Sequence, residues 1–403
     1  MAESEGEFAA LLAAAESSSP VDSVDVLAGE LRQRFGVSAA SLLVTDVLGQ
    51  TLVRVGEGGR STEPITLRGS VYEQVFRTQR PHQEPAPAPG GHRLIFPVTN
   101  RGDPLGLLEV TVPGDPGDRL RTQLATAAHA LAYVVVTDGR FTDLYHRNRR
   151  TTDVSLAAEI QYHLLPSALC CEAAQFAVAG ALEPAATIGG DTFDYSLDRH
   201  TVQLSVTDAM GHNVAAALLA TLLVSALREG RRAGAGLAEQ ARRAHQAVLD
   251  HGMGAMATGQ LIRVDLRAGR AELVNAGHPR PLRLRGGTVE EIALAADLPF
   301  GVASSGAYRV QDVELRPGDR LIMLTDGMQE RSATEVDLPA LIAGTRELHP
   351  REAVRALAGA VADAAEGRLT DDATVMCLDW YGPQGVRRDA ETGANLRRTS
   401  RRQ

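Results

Sequence analysis

The stretch ATIGGDTFDYSLDRHTVQLSVTDAMGHN, residues 186–213, holds two acidic clusters, GGDTFD and TDAMGH, at the two ends of one predicted β-hairpin. Apolar and polar residues alternate over 193–197 and again over 202–206, which is the period of a β-strand. The polar residues between these runs supply the turn. Pairing outward from that turn places Asp191 opposite Asp208, to within one or two residues.

Two facing carboxylates need a physical explanation, because facing residues of an antiparallel pair lie only about 4.5–5.5 Å apart. Like charges at that distance repel unless one is protonated or a cation lies between them. Gly189, Gly190 and Gly211 flank the aspartates and allow close backbone approach or positive φ. The hairpin therefore predicts an oxygen-lined metal site. The alternative is a pair of unrelated turn aspartates on a surface hairpin.

Composition limits the class of protein. A chain of 403 residues, 44% of them hydrophobic, is long enough for roughly two or three globular domains. A net charge of −9 disfavours a general nucleic-acid binder, because phosphate contacts need a basic surface. Three cysteines cannot form a disulfide framework. The N-terminus lacks the features of a signal peptide, and the longest apolar helix candidate, 214–227, is shorter than the about 20 residues of a membrane span. We expect a cytoplasmic protein without nucleic-acid or membrane partners.

The N-terminal half divides by composition into two segments. Residues 1–20 are predicted to be a flexible segment that includes a short alanine-rich helix and ends in a Ser/Pro stretch. Residues 21–140 alternate helix and antiparallel strand patterns, which indicates an α+β module. Within it, PHQEPAPAPGG (81–91) is too rich in proline to be a core element.

One stretch of this module, HRLIFPVTNRGDPLGLLEVTV (92–112), resembles the GAF family of small-ligand or signal-sensing domains. It consists of an apolar strand, a turn with Gly-Asp-Pro, and a second strand. The resemblance implies a sensor with an unknown ligand or regulatory partner, or a degenerate dimerisation domain. A homodimer through this half is compatible with either role.

Residues 141–168 are predicted to form a linker helix, because Leu156, Ile160 and Leu164 are spaced by four and Pro166 stops the pattern. This helix is either an ordinary domain cap or a coiled-coil-like lever that carries a signal between domains.

The C-terminal half is dominated by short strands. Residues 169–381 hold many of them and two predicted helices, 213–231 and 237–250, which only a packed pair of sheets with helices outside accommodates. The predicted fold class is α+β, with a central antiparallel β-sandwich flanked by helices. The polar segment 382–403 is predicted to be a disordered tail.

Further carboxylates follow the same strand-end pattern. GDRLIMLTDGMQE is an apolar strand that runs into Asp326 and Gly327, and LTDDATVMCLDW puts Asp371 and Asp372 just before another apolar strand. If these strands are antiparallel neighbours, Asp326 lies near Asp371. Such an oxygen-rich set suits Mg²⁺ or Mn²⁺, and the lack of a His/Cys ligand set disfavours zinc. Each aspartate alone could instead be a turn residue or helix cap.

Several motifs in order across 155–380 together resemble a known family. They are EIQYHLLP, GGDTFD, TDAMGH, NAGHPRPLRL, LPFGV, LRPGDRLIMLTDGMQE and DDATVMCLDW. They resemble the bacterial metal-dependent (PPM-type) serine/threonine phosphatases of the RsbU and SpoIIE kind. The resemblance implies two Mn²⁺ or Mg²⁺ ions at one edge of a β-sandwich. It also implies hydrolysis of phosphoserine or phosphothreonine in a partner protein, expected to be a phosphorylated anti-sigma-factor antagonist.

The resemblance also implies a ligand set and roles for its residues. The implied metal ligands are Asp191, Asp208 as the bridging carboxylate, the Ala209 backbone carbonyl, Asp326, and Asp371 or, as the alternative, Asp372. Asp191, Asp208, Asp326 and Asp371 form the implied catalytic group, acting through two-metal activation of water. Asp194 is expected either to support the metal ligands from behind or to be structural, while Asn275 and His278 either support the site or stabilise a turn.

Two positions depart from the family pattern, which often has glycine at the positions of Ala209 and Asn213. Alanine can still offer its carbonyl unless φ must be positive. Two rival functions therefore stay open. One is a phosphatase-shaped regulatory module that binds a partner without turnover, and the other is a metal-dependent phosphoesterase that acts on a small molecule.

Overall fold

The computed structural model describes residues 2–46, 49–55, 63–87, 89–151, 155–185, 189–211, 213–303, 306–329, 336–365, 369–388 and 392–399. The chain divides into two compact units. The first comprises 1–153 together with 388–403, and the second comprises 154–387.

The first unit is an antiparallel sheet with helices on both faces. Its elements are α1 (Ala2–Glu16), α2 (Ser23–Phe35), β1 (Ala39–Thr45), β2 (Thr51–Val55), β3 (Ile65–Thr66), α3 (Val71–Thr78), β4 (His82–Pro85), β5 (His92–Asn100), β6 (Asp103–Val112), α4 (Asp118–Asp138) and α5 (Leu144–Asn148). The six strands follow the order β3-β2-β1-β6-β5-β4. Helices α1, α2 and α4 pack on one face of this sheet, and α3 packs on the other. That this first unit is a GAF-like sensor stays a prediction.

Two expectations for the ends of the chain are wrong. The predicted alanine-rich helix is present as α1, but the segment is not flexible, because Leu11 and Ala15 are buried in the core beside α4. Within the tail, residues 392–399 are ordered, and Ala394 and Asn395 are buried there. Gly393 makes this docking possible, since a Cβ there would lie 1.9 Å from the carbonyl oxygen of Thr99.

The proline-rich segment is also more regular than its composition predicts. His82–Pro85 forms strand β4, which pairs with β5. This strand lies at the edge of the sheet. Proline is tolerated there because an edge strand leaves one row of amides without a ladder partner.

The predicted linker helix over 141–168 is wrong as one continuous element. Helix α5 ends at Asn148, and a separate helix α6 (Leu156–Leu164) belongs to the second unit. Residues 152–154 lie outside the described part of the chain. Ser155 caps α6 by accepting a hydrogen bond from the Ala158 amide at 3.2 Å. The helix stops where predicted, because Leu165 before Pro166 is extended.

The second unit contains two antiparallel sheets and their covering helices. Besides α6 its elements are β7 (Cys170–Glu172), β8 (Phe176–Glu183), β9 (Asp191–Leu197), β10 (Thr201–Ala209), α7 (Asn213–Arg232), α8 (Leu237–His251), β11 (Ala257–Asp265), β12 (Arg270–Ala276), β13 (Leu282–Arg285), β14 (Thr288–Glu291), β15 (Gln311–Glu314), β16 (Arg320–Leu324), α9 (Leu338–Gly344), α10 (Pro350–Ala364) and β17 (Ala373–Trp380). One sheet has the order β15-β12-β11-β10-β9 and the other β14-β13-β16-β17-β8-β7.

The two sheets pack face to face. Phe193 and Val206 of the first sheet share a buried core with Met376 and Trp380 of the second. Helices α7 and α8 cover the outer face of the first sheet, and α10 covers that of the second. The predicted fold class, an α+β chain with an antiparallel β-sandwich flanked by helices, is confirmed. The sequence interpretation missed α9 and α10, although Pro350 at the first helical position marks the start of α10.

Helix α7 is longer than its apolar run. By length and composition alone this 20-residue helix could cross a membrane, so the expectation that no candidate is long enough is wrong. Its apolar side packs in the domain core through Leu219, Leu223 and Leu227, as expected of a core helix. Near its C-terminal end, Arg228 and Arg231 hold Asp194 of β9 at 3.0 and 3.1 Å.

The Asp194 ion pairs make a stability prediction. Asp194→Asn leaves two arginines without their buried partner and should lower the free energy of unfolding by about 2–3 kcal/mol. This estimate lies below the cost for a fully buried pair, because the arginine side chains are 24% and 17% exposed. Urea unfolding of both proteins measures the difference, which should be the same with Mn²⁺ or EDTA.

The matched control is Asp198→Asn, the same change at the exposed turn of the same hairpin. It should alter stability by less than about 0.5 kcal/mol. Equal stability of the Asp194 variant and the wild type would contradict a structural role for Asp194.

Candidate metal centre

The hairpin has the register that the sequence predicts. Asp208 of β10 pairs directly with Asp191 of β9. Because β9 begins at Asp191 and β10 ends at Ala209, both carboxylates lie at the open end of the hairpin. The next pair inward, Thr192 and Thr207, has its hydroxyls in contact at 2.5 Å.

The second sheet brings its own aspartates to the same edge. Strands β16 and β17 are antiparallel neighbours, with Leu324 paired to Val375. Asp326 therefore follows the end of one strand where Asp371 and Asp372 precede the start of the other. A Cβ on Gly327 would lie 2.0 Å from the Asp372 carbonyl oxygen, so only glycine permits this approach.

The two glycines before β9 allow the backbone to approach the aspartates closely. A Cβ on Gly189 would lie 2.9 Å from carboxylate oxygens of both Asp371 and Asp372. A Cβ on Gly190 would lie 2.3 Å from the Ala209 carbonyl oxygen. These two glycines thus let the backbone of the first sheet lie directly against the carboxylates of the second.

Burial and mutual repulsion dominate the electrostatics. Asp191 is 2% exposed, and burial together with the charges of Asp208 and Asp372 holds its pKa well above the usual range. The Thr325 hydroxyl donates to Asp191 Oδ2 at 2.6 Å and acts in the opposite direction. Burial and the charges of Asp326, Asp371 and Asp372 raise the pKa of Asp208 to about 7. Such a cluster attracts a cation.

The adjacent pair Asp371 and Asp372 differ in environment. Asp372 is fully buried, and its Oδ1 accepts from the Ala185 amide at 2.9 Å. Its Oδ2 accepts from Gln161 Nε2 at 2.6 Å. Asp371 is only partly buried, and its Oδ1 accepts from the Asp372 amide at 2.8 Å. The protein itself therefore holds both oxygens of Asp372.

The donor chemistry fits a hydrated divalent cation. Within the described ranges, no three Asp, Glu, His or Cys side chains stand close enough to enclose one ion. Magnesium-like ions commonly use one or two carboxylates with several waters, whereas structural zinc needs four protein ligands. The close carboxylates and the Ala209 carbonyl thus suit Mg²⁺ or Mn²⁺ and do not suit zinc.

The two departures from the family pattern have local explanations. Ala209 is the last residue of β10 and is not among the residues with positive φ, so alanine is unstrained there. Asn213 does adopt positive φ, at 66°, a conformation that asparagine tolerates better than most residues. Its Oδ1 accepts from the Ala215 amide at 3.1 Å at the start of α7.

Three further candidates lie in supporting positions. Asp194 is held by α7, on the helix side of the sheet, which favours the structural alternative for it. Asn275 and His278 clamp a turn, since each donates to the other at 2.9 and 2.8 Å. Burial lowers the pKa of His278 to about 4, so this ring is neutral at physiological pH. These contacts favour the turn-stabilising alternative.

Sequence reasoning missed Thr325 and Gln161, which touch the aspartates. Thr325 precedes Asp326 in LTDG, where the strand pattern gives no sign that its hydroxyl contacts Asp191. Gln161 lies in EIQYHLLP on the buried face of α6, with Ala157, Ala158 and Leu164. The sequence signal for Gln161 is its place on the apolar face of an amphipathic helix, where a polar residue is unusual.

Comparisons with known proteins find similarity within the second unit. The family model described as Stage II sporulation protein E (SpoIIE) matches residues 198–381. The phosphoserine phosphatase RsbP of Bacillus subtilis (strain 168) is 22% identical over 188 residues, covering 45% of this chain and 46% of RsbP. The chain thus spans about half the length of this relative. Residues 198–381 thus match the SpoIIE family, which confirms the predicted resemblance over that part of the chain. Asp191 lies outside the match.

Solved structures with similar folds share little sequence with this chain. The RsbU and RsbW domains of Rv1364c from Mycobacterium tuberculosis are 23% identical, with a TM-score of 0.46, covering 53% of this chain and 63% of that one. The PP2C phosphatase domain of SpoIIE from Bacillus subtilis, with a fragment of its regulatory domain, is 21% identical, with a TM-score of 0.44, covering 51% and 63%. Likeness at this level does not define what the chain acts on.

Charge repulsion among the carboxylates makes a second stability prediction. Asp208→Asn removes one of the repelling charges, so without metal the variant should be more stable than the wild type. We expect a gain on the order of 2 kcal/mol, or roughly 4–8 °C in Tm. Thermal unfolding in EDTA measures it. Added Mn²⁺ should stabilise the wild type but not the variant.

Asp198→Asn again serves as the control, because it removes the same charge at the far end of the hairpin. It should behave as the wild type in both EDTA and Mn²⁺. A lower Tm for the Asp208 variant in EDTA would show that Asp208 is not part of a repelling cluster.

Proposed function

We propose that this chain is a metal-dependent protein serine/threonine phosphatase. The observation that carries the proposal is the meeting of aspartates from both sheets at one edge of the sandwich, where burial and repulsion raise the pKa of Asp191 and Asp208. The SpoIIE-family match and the printed name of RsbP, a phosphoserine phosphatase, support the same activity.

The proposed ligands are the residues that meet at this edge. They are Asp191, Asp208, the Ala209 carbonyl, Asp326 and Asp371, which would hold two Mn²⁺ or Mg²⁺ ions. When bound, such ions lower the pKa of a coordinated water toward about 7 and offset negative charge on phosphoryl oxygens. Asp372 is proposed to support the site, because the protein already holds both of its oxygens.

The chain's own residues have distinct parts in this proposal. Asp208 is the proposed bridging carboxylate, since its charge interacts with those of Asp326, Asp371 and Asp372 across the site. Asp191 is oriented by Thr325, whose hydroxyl also accepts from the Thr374 amide at 3.0 Å. Thr325 therefore ties a ligand of the first sheet to the backbone of the second.

A cysteine nucleophile does not compete with this proposal at Cys377. Cys377 is fully buried in β17, and burial raises the pKa of its thiol to about 12. Because the thiolate is the reactive form, Cys377 is inert at neutral pH. Attack by water, assisted by the aspartate site, is thus the proposed route to hydrolysis.

The proposed substrate is a phosphorylated protein. We propose phosphoserine or phosphothreonine of a regulatory protein, with a phosphorylated anti-sigma-factor antagonist as the natural partner in the cytoplasm. The N-terminal unit is proposed to control the phosphatase as a GAF-like sensor with its own ligand or partner, or through a homodimer. The printed name of RsbP, a phosphoserine phosphatase, supports phosphoserine as the group that is hydrolysed.

One observation favours a second candidate, a phosphatase-like regulatory module that binds without turnover. Among the described residues no three potential ligand side chains enclose an ion. In this candidate the aspartates would hold metal too weakly for catalysis.

Phosphate release tests both candidates. Wild type, Asp208→Asn and Asp198→Asn should be assayed with a phosphoserine protein, an aryl phosphate and a nucleotide, in Mn²⁺ or EDTA. We expect metal-dependent release from the phosphoprotein and a loss of at least roughly 100-fold in the Asp208 variant, because even residues behind metal ligands contribute about 10–100-fold. The Asp198 variant should keep wild-type activity.

Other outcomes separate the alternatives. A folded wild type that releases no phosphate with any metal would favour the binding module. Turnover of the nucleotide but not of the phosphoprotein would favour a small-molecule phosphoesterase.

A further inference from the structure

Residues 392–399 contact the rest of the first unit at the turn between β5 and β6. This turn consists of Arg101 and Gly102, whose φ angles of 48° and 86° are both positive, as in the tight turns of two-residue hairpins. The Gly102 amide lies outside the ladder of the two strands and donates to the carbonyl oxygen of Gly393 at 3.0 Å. The Arg388 side chain donates to the same oxygen, so both lone pairs of this acceptor are used. A backbone hydrogen bond thus joins the segment to the hairpin.

Strand β5 and helix α4 form the rest of the contact. Gly393 has a φ of 86°, and a Cβ there would lie 1.9 Å from the Thr99 carbonyl oxygen and 3.4 Å from Cδ2 of His129. Because Thr99 belongs to β5 and His129 to α4, Gly393 lies against both elements. The next two residues, Ala394 and Asn395, are buried. A side chain at position 393 would push the segment away from β5.

The segment also forms a turn of its own. Asn395 Oδ1 accepts from the Arg397 amide at 3.3 Å, and the Asn395 carbonyl oxygen accepts from the Arg398 amide at 2.9 Å. Thr399 Oγ1 donates to the Leu396 carbonyl oxygen at 3.1 Å. Such local bonds favour the bound conformation before docking and lower the entropic cost of binding. A peptide of this sequence therefore docks with its turn partly formed.

The contact is small compared with the core of the first unit. Among the described residues, the two hydrophobic clusters of that unit contain no side chain from residues 392–399. Ala394 is the one apolar residue of this described segment that is buried, and an alanine buries much less apolar area than the leucines and valines of the core. Contacts with few buried apolar groups open at a low free-energy cost while the rest of a domain stays folded. The segment is therefore held as a bound peptide is held and not as a core element.

We propose that the β5–β6 turn and the adjoining part of α4 form a peptide-docking site, with residues 392–399 of the same chain as its reversibly held occupant. The chain leaves the first unit after residue 153 and re-enters it at residue 388. The second unit is therefore tethered at both ends while the segment is docked, and at one end when it is released. A peptide that competes for the site removes one tether. This inference goes beyond the proposed function and does not depend on the metal site.

Cleavage of the folded full chain tests the docking. A site for a specific protease is inserted between Arg387 and Arg388, and the chain is cut after it has folded. Gel filtration at low concentration should then separate the segment from the rest of the chain. The remaining chain should keep its circular dichroism spectrum and its cooperative thermal unfolding. A fluorescently labelled synthetic peptide of residues 388–403 should bind the cut chain saturably in an anisotropy titration.

Two variant peptides show whether binding occurs at the proposed site. The Kd of the Gly393→Val peptide should be at least about tenfold higher than that of the wild-type peptide, because its side chain collides with the Thr99 carbonyl group. The matched control is Arg397→Ala, which changes an exposed side chain of the same segment and keeps its backbone amide. The Kd of this control should stay within about twofold of the wild-type value.

Hydrogen exchange of the uncut chain gives a second measurement. In the full-length Gly393→Val variant the Gly102 amide should exchange at least about tenfold faster than in the wild type, because its acceptor has moved away. Full-length Arg397→Ala should exchange at the wild-type rate.

Several results would overturn the inference. Unfolding of the first unit when the segment is removed would show that residues 392–399 are an integral part of the fold. Equal binding of the Gly393→Val and wild-type peptides, or an unchanged Gly102 exchange rate, would show that the segment does not occupy this site in solution. A concentration-dependent dimer that Gly393→Val abolishes would assign the site to the segment of a second copy.

Discussion

The repulsion between carboxylates at one edge of the sandwich is the constraint on which the rest of the second unit depends. Asp191 and Asp208 face each other across one ladder, and Asp326, Asp371 and Asp372 come from the opposite sheet. Such a cluster opposes folding without a cation, so the surrounding structure must hold it in place. The shared core of the two sheets does so, since each large apolar side chain buried there contributes about 1.5–3 kcal/mol.

The same constraint explains the residues around the cluster. Glycines occupy positions where any side chain would collide with a carboxylate or a carbonyl, as at Gly189, Gly190 and Gly327. Thr325 and Gln161 place hydrogen-bond donors against Asp191 and Asp372. Each of these contacts joins parts of the chain far apart in sequence. The site is therefore a property of the assembled sandwich and not of any single motif.

The parts of the site that sequence could predict are those set by short-range pattern. Strand alternation around one turn placed Asp191 opposite Asp208, and the structure has this register. The predicted proximity of Asp326 to Asp371 required β16 and β17 to be antiparallel neighbours, which they are. The contact of Gln161 with Asp372 was not predictable in this way, because it depends on where α6 packs. Burial likewise overrode composition in helix α1 and around Ala394, where docking orders segments that look flexible.

The central claim is that aspartates from both sheets bind divalent cations at this edge, and crystallography with Mn²⁺ tests it most directly. Anomalous difference maps from crystals of the full chain grown with Mn²⁺ would locate bound ions without any assumption about substrate. The account predicts anomalous peaks within coordination distance of Asp208 and of at least one aspartate of the second sheet. Well-ordered aspartates without a peak, or Mn²⁺ bound only elsewhere, would contradict it.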